Sequence, residues 1–359
     1  MIKKIFLFLM LCFGFYPFSY ALKVTKIKTL YTDSCPKAVV ISPDGSKAYA
    51  INLEGMSVIA YDTTTKERLW RVAFIPTPAQ GWDYTNKKPI NSFAEKPVEA
   101  AFTQDGKMLW VSLHNGANVV VIDTEFTTQF KGKTLPIRFY QGNSKEYKTL
   151  YVKEIKVGHT PKVISVAPNG KFVYVANWHS HNISVINPET FEVIKTVPVV
   201  RIPRGMDFSP DSRYGFVANM GSNVISVLDT EKDHKLIKNY FVGLTPRHLV
   251  ASKDGQYLYI SLNREGKVVK FDVGMGKVVQ EVFVGSNPRT LALTPDEKHI
   301  FVVEYKEKRM SVLDSQTFEV LGTYPTGISP VGVAITPNGK EAWVVNYSVS
   351  TLEVFSIEP

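Results

Sequence analysis

Pro161-Lys162-Val163-Ile164-Ser165-Val166-Ala167-Pro168-Asn169-Gly170-Lys171-Phe172-Val173-Tyr174-Val175-Ala176-Asn177 is the stretch whose reading decides the fold. Val163–Val166 and Phe172–Val175 are short β-branched and aromatic runs, the signature of strands. Between them, Pro168 sets φ for a turn, and Asn169-Gly170 supplies the left-handed residue of a hairpin. Downstream, Ile183-Ser-Val-Ile186 and Glu192-Val-Ile-Lys-Thr-Val197 add two further strands. The unit therefore holds four short antiparallel strands, A to D.

The same unit recurs along the chain. Its leading prolines are Pro36, Pro97, Pro161, Pro203, Pro246, Pro288 and Pro330. Strand C closes 26 residues later each time, at Asp62, Asp123, Asn187, Asp229, Asp272, Asp314 and Ser356. The A–B turns are equally regular, from Ser42-Pro-Asp-Gly45 to Thr336-Pro-Asn-Gly339. Successive prolines are 61, 64, 42, 43, 42 and 42 residues apart. Four-stranded repeats of about 40–45 residues are those of a propeller. Only 29 residues follow Pro330, so the last repeat lacks strand D. The run Lys23–Tyr31 can supply it and so hide both free sheet edges. The expectation is an all-β, seven-bladed β-propeller of four-stranded antiparallel blades, its ring closed by the N-terminal strand.

At Tyr49-Ala-Ile-Asn52, Tyr174-Val-Ala-Asn177, Phe216-Val-Ala-Asn219 and Trp343-Val-Val-Asn346 the repeats resemble the YVTN family of β-propeller repeat proteins. The likeness covers essentially the whole chain after residue 21, although Leu113, Leu262 and Glu304 replace the Asn in three repeats. The resemblance implies the fold and frequent export. It implies little about activity, because such propellers include binding proteins, lactonases, lyases and electron-transfer enzymes.

Residues 1–21 read as a secretory signal peptide: Lys3 and Lys4, an apolar stretch Ile5–Phe18, then Ser19-Tyr20-Ala21 before the cleavage point. Residues 22–359 then form a single propeller domain in the periplasm or outside the cell. A lipoprotein would use Cys12, but the bulky Leu11 before it argues against that. No later apolar run reaches the roughly 18 residues of a membrane span. Cleavage removes two lysines, so the net charge of +9 becomes +7, which favours anionic partners. It also removes Cys12, leaving Cys35 alone and no intrachain disulfide. A balance of 44% hydrophobic and 21% charged residues excludes a largely disordered chain.

The invariant spacing places both insertions after strand C. One, about 75–95, falls in a D–A loop on the face that also carries the B–C loops, here the top. It brings Trp82, Asp83 and Tyr84 toward the channel mouth. The other, about 126–149, falls in a C–D turn on the bottom, and with its following strand has seven Lys and Arg against two Glu. Phe130, Phe139, Tyr140, Tyr147 and Tyr151 interleave with them. That mixture suits single-stranded nucleic acid or an acidic surface, or else a solvated hairpin packed on its own aromatics.

The residue after the leading proline is basic in five repeats: Lys37, Lys162, Arg204, Arg247 and Arg289. One topological position repeated around a ring predicts a cationic mouth able to bind carboxylate or phosphate. The alternative is that these residues brace loops. Trp82 and Trp178 are the aromatic candidates beside them. His114, His159, His179 and His181 share the top face and are candidate ligands for zinc or copper. His179 or His248 could serve as a general base, with Asp207 or Glu99 as partner. No Gly-x-Ser-x-Gly elbow or Walker loop is present. The leading expectation is a monomeric exported binding protein for an anionic small molecule, polymer or partner. The alternatives are a lactonase- or lyase-like enzyme, metal-assisted or not, and a single-stranded nucleic-acid binder.

Overall fold

The computed structural model describes residues 22–83 and 86–358; the predicted signal segment and Tyr84 lie outside them. The described residues contain strands and turns and no helix, so none is long and apolar enough to cross a membrane.

Six of the seven A–B turns are built by one device, the exception being the turn that begins at Ala167. The hydroxyl of Ser42, Thr103, Ser209, Ser252, Thr294 or Thr336 donates to the Asp or Asn two residues on. The next residue is left-handed, with φ of 70–75° at Gly45, Gly106, Gly170, Gly255 and Gly339. Ser212 and Glu297 occupy the same position at φ 63° and 58°, so the turn tolerates a side chain there. The recurring Asn also has a physical role. Asn52, Asn177, Asn219 and Asn346 are fully buried. Their amides donate to Ser57, Ser184, Ser226 and Thr351, tying the end of strand B to the start of C. Where Glu304 replaces Asn, it accepts from Ser311 and Arg309 instead.

The seven innermost strands, Pro36–Ile41, Pro97–Phe102, Pro161–Val166, Pro203–Phe208, Pro246–Ala251, Pro288–Leu293 and Pro330–Ile335, neighbour one another in a closed circle. Closure is as expected: Lys23–Tyr31 pairs antiparallel with Thr351–Glu358, from Lys23 opposite Glu358 to Tyr31 opposite Thr351. The core lies between blades, where large side chains such as Trp110, Tyr174, Phe301 and Trp343 are buried.

Two blades depart from the simple plan. The bottom insertion is not a free turn. Its strand Thr134–Gln141 pairs with Arg68–Phe74, the D strand of blade 1, and with Lys148–Lys156, the D strand of blade 2. The two blades thereby merge into one nine-stranded sheet. Burial drives this. Ile137 is fully buried, and Phe139 packs on Phe126 with ring centroids 4.5 Å apart, against Trp70. The top insertion is a separate hairpin, Pro78–Asp83 with Lys88–Phe93. It is fastened by Thr77 N–H to Glu95 and by the Asn115 amide to Ser92 and the Phe93 carbonyl.

Candidate functional site

A backbone irregularity aims the basic column. In every blade the A–B register shifts directly after the leading proline, for example between Pro36 and Ala38, Pro203 and Met206, or Pro246 and His248. The residue before the proline is left-handed at Cys35, Thr160, Ile202, Thr245 and Asn287, with φ of 56–60°. Such bulges re-aim a side chain at a sheet end. Here they turn Lys37, Lys162, Arg204, Arg247 and Arg289 into one site. Lys162, Arg204 and Arg247 are buried, at 6%, 5% and 9% exposure, and Lys37 and Arg289 half-buried.

The five cations have little counter-charge. Among the described residues, Glu99 is the one carboxylate in ion-pair contact with them, 3.0 Å from Arg204. That bond joins blade 2 to blade 4. Three of them lie on aromatic faces: Lys37 Nζ is 4.5 Å from the Tyr347 centroid, Lys162 Nζ 4.7 Å from Trp178, and the Arg289 guanidinium 4.0 Å from Tyr305. Buried Arg204 Nη1 and Arg289 Nε have no hydrogen-bond partner. Burial first, then Arg289, Arg247 and Arg204, lowers the Lys37 pKa to about 7. Burial and Arg204 lower that of Arg289 to about 10. Lys162 and Arg247 are pushed well down by burial and neighbouring guanidiniums. The site is thus short of negative charge, and an anion would relieve both the desolvation and the mutual repulsion.

A second column was read from the sequence only in part, through His114 and Trp178, and not as a column. The residue 17 positions after each leading proline is Leu53, His114, Trp178, Met220, Asn263, Tyr305 or Tyr347. Five of these touch the basic ring, through the aromatic contacts above, a hydrogen bond from Lys162 to His114 and an Arg247 contact to the Met220 sulfur at 4.0 Å. The same ruler would have found them.

The hairpin roofs this region. Gly81, Trp82, His114 and Asn115 border both a cavity of about 210 Å³ holding Lys37, Lys162 and Val98 and an outer one of about 470 Å³. The outer cavity also collects His159, Thr160 and His179. His181 does not join them: its Nδ1 accepts from the Ile202 amide. His114 Nδ1 faces Lys162 Nζ at 2.8 Å, and His179 Nδ1 faces Thr160 Oγ1 at 2.8 Å. Among the described residues no three His, Cys, Asp or Glu side chains gather as a metal-ligand group. Trp178 is half-buried and stacks on His179.

Below the ring a chamber of about 260 Å³ holds Glu99, Asp207 and His248. Asp207 does not pair with Arg204. It accepts the amides of Ala251 and Phe208, and burial raises its pKa to about 6. Burial, then Arg204 and Arg247, lowers the His248 pKa to about 3. On the bottom insertion the cations find partners at home. Arg138 lies over Tyr147 and Lys148 over Phe139, while Lys133 pairs with Glu154 at 3.2 Å.

Fold and site together define a seven-bladed β-propeller with a buried cationic channel mouth. Residues 19–207, just over half of the chain, match the family described as "Lactonase, 7-bladed beta-propeller", and the chain belongs to that family. Residues 147–303 match the YNCE-like beta-propeller family. Among solved structures, Kuenenia stuttgartiensis hydrazine synthase is similar, with a TM-score of 0.71 and 21% identity, over 90% of this chain and 96% of that one. That likeness speaks to fold alone. No curated protein sequence matches the chain significantly.

Proposed function

We propose that the protein is a monomeric exported propeller that binds a small anion at its channel mouth. The observation that carries this is five converging basic side chains with one carboxylate contact among the described residues and two buried guanidinium nitrogens without partners. A carboxylate or phosphate accepts from such donors bidentately. The inner cavity of about 210 Å³ favours a small molecule over a polymer threaded through the ring. Trp82 borders this cavity, and the Trp178 ring lies against Lys162. The experiment is titration calorimetry with oxalate, citrate and phosphate, on the protein and on an Arg204→Met/Arg247→Met/Arg289→Met variant. Binding lost in the variant supports the reading, and binding unchanged by it rejects it. Export is tested by sequencing the mature N-terminus, expected at Leu22.

Family membership favours a second reading, a lactonase-like hydrolase on the same face. A base with a pKa of about 3, as at His248, is weak at neutral pH, so the base would be His179. Turnover of a lactone panel, lost in His179→Gln, would favour it. Elemental analysis tests the zinc or copper reading, which near-stoichiometric metal would favour and its absence from the purified protein would reject. Single-stranded nucleic acid is tested by salt dependence, which is steep for phosphate contacts.

A further inference from the structure

The bottom insertion forms a cleft of about 580 Å³, within the usual range of ligand sites. One wall is Thr149–Val152, in the strand Lys148–Lys156; the other is Asp123 with the loop Phe126–Phe130. Main-chain geometry decides what the cleft offers. On its outer side Lys148–Lys156 pairs with Thr134–Gln141 along Lys148–Lys153. On its inner side it pairs with Asn118–Asp123 from Lys153 to Lys156, and Val121 opposite Lys153 is the last registered pair. Pro136 stands opposite Tyr151 on the outer side. A proline has no N–H, so this is a pair without ladder hydrogen bonds. Two neighbouring bonds fix the same alternation: Glu154 N–H reaches the Lys133 carbonyl outside, and Val157 N–H the Ala117 carbonyl inside. The N–H and C=O groups of Thr149 and Tyr151 therefore point inward, into the cleft. Among the described residues no strand partner takes them there. Asp123, next in line to face Tyr151, is turned aside, because its carboxylate accepts the amides of Glu125, Thr127 and Thr128.

We propose that this free edge takes up an extended acidic peptide segment of a partner protein, added as an antiparallel strand beside Thr149–Tyr151. An unpaired edge is a template for a further strand, and its main-chain groups supply the affinity. A nucleic acid has no matching row of N–H and C=O groups. Charge names the peptide. Lys131, Lys148 and Lys153 adjoin the lining residues Phe130, Thr149 and Val152 in the chain. Among the described residues, Lys133–Glu154 is the one ion pair the insertion's cations make with a carboxylate. The positive field is left to a partner. Tyr151, 62% exposed, and Phe130 offer faces to the apolar side chains of an alternating sequence. This site is on the face opposite the cationic mouth and is independent of the anion reading.

The test is fluorescence anisotropy on the full chain with a labelled peptide alternating valine and glutamate. Its valine–lysine counterpart and two copies, each N-methylated at one set of alternate amides, are compared with it. The acidic peptide is expected to bind, the basic one not. One N-methylated copy is expected to lose at least tenfold in affinity and the other to keep it, since alternate amides face the edge. Tyr151→Pro removes the cleft-facing N–H without breaking a bond to Thr134–Gln141, and is expected to weaken binding at least tenfold; Tyr151→Phe is expected to keep it. Hydrogen exchange on the unaltered protein, with slowing at Thr149 and Tyr151 on adding peptide, decides the matter even where a variant fails to fold. No binding of the acidic peptide, or binding indifferent to both methylations, overturns the proposal. So does slowing elsewhere only. An oligothymidylate that displaces the peptide and binds more tightly would assign the cleft to nucleic acid instead. A dimer of the protein alone, broken by Tyr151→Pro, would assign the edge to a second copy of the chain.

Discussion

Lys37 and Glu99 give the site its most direct checks at the level of single residues. Lys37 is the ring lysine with its pKa lowered to about 7. Between about 7 and its unfolded value of about 10.4 the unfolded chain binds the extra proton, so this group makes stability rise with pH across that window. Below the folded pKa both states are protonated and the full penalty of the buried charge is present. A bound anion favours the ammonium, so binding draws a proton from solution. Calorimetry of oxalate binding near pH 8 in buffers of different ionisation enthalpy is expected to show proton uptake, absent in Lys37→Met. Glu99 is the ion-pair partner of Arg204, with side-chain exposures of 20% and 7%. Glu99→Gln leaves that guanidinium without its charge partner, and breaking such a pair costs about 3 kcal/mol. Chemical unfolding is expected to show that loss, with much of it recovered when phosphate is added. A loss that phosphate leaves untouched would mean the ring is not the anion site.

Among the elements, the two insertions have separate roles. Thr134–Gln141 welds blade 1 to blade 2, with Phe139 at 6% exposure in the weld. Phe139→Ala is expected to cost about 3 kcal/mol, the usual range for a buried aromatic. Hydrogen exchange would rise in Arg68–Phe74 and Lys148–Lys156, with oxalate affinity unchanged because the ring is on the other face. The hairpin Pro78–Phe93 carries little of the core, since Trp82 is 44% exposed and Ile90 41%. Replacing it with a short Gly-Ser link is expected to keep the unfolding midpoint within about 2 °C. Anion dissociation would accelerate, as for a removed lid, measurable by stopped-flow fluorescence.

For the whole molecule, closure is the vulnerable feature. Eight registered pairs join Lys23–Tyr31 to Thr351–Glu358, with Val24 and Leu30 buried against the last blades. Removing Lys23–Tyr31 bares the edge of Thr351–Glu358, and an open edge recruits other chains. Light scattering is expected to show self-association, and thermal unfolding a much lower midpoint. A monomer of unchanged stability would contradict the closure described here. The charge asymmetry acts at this scale too. A cationic mouth on a positively charged molecule predicts anion association rates that fall as salt rises.

The sequence by itself determined the repeat, its register, the number of blades and the closure. These are local facts: a turn needs Pro-Asp-Gly chemistry, a strand needs alternation, and an open edge needs a partner. It also placed Lys37, Lys162, Arg204, Arg247 and Arg289 on one column, because a repeated fold turns equal register into equal position. The aromatic column of Trp178, Tyr305 and Tyr347 was equally legible by register, yet nothing local marks a Tyr as a cation's neighbour. Only the tertiary structure decided the rest. Partners from different blades are remote in sequence, so the Glu99–Arg204 bond and the His114–Lys162 contact could not be read from spacing. His181 left the other histidines because one backbone amide claimed its ring. The strand at 134–141 joined two blades because burying Ile137 and Phe139 outweighs leaving a solvated turn, a balance set by what lies opposite in space.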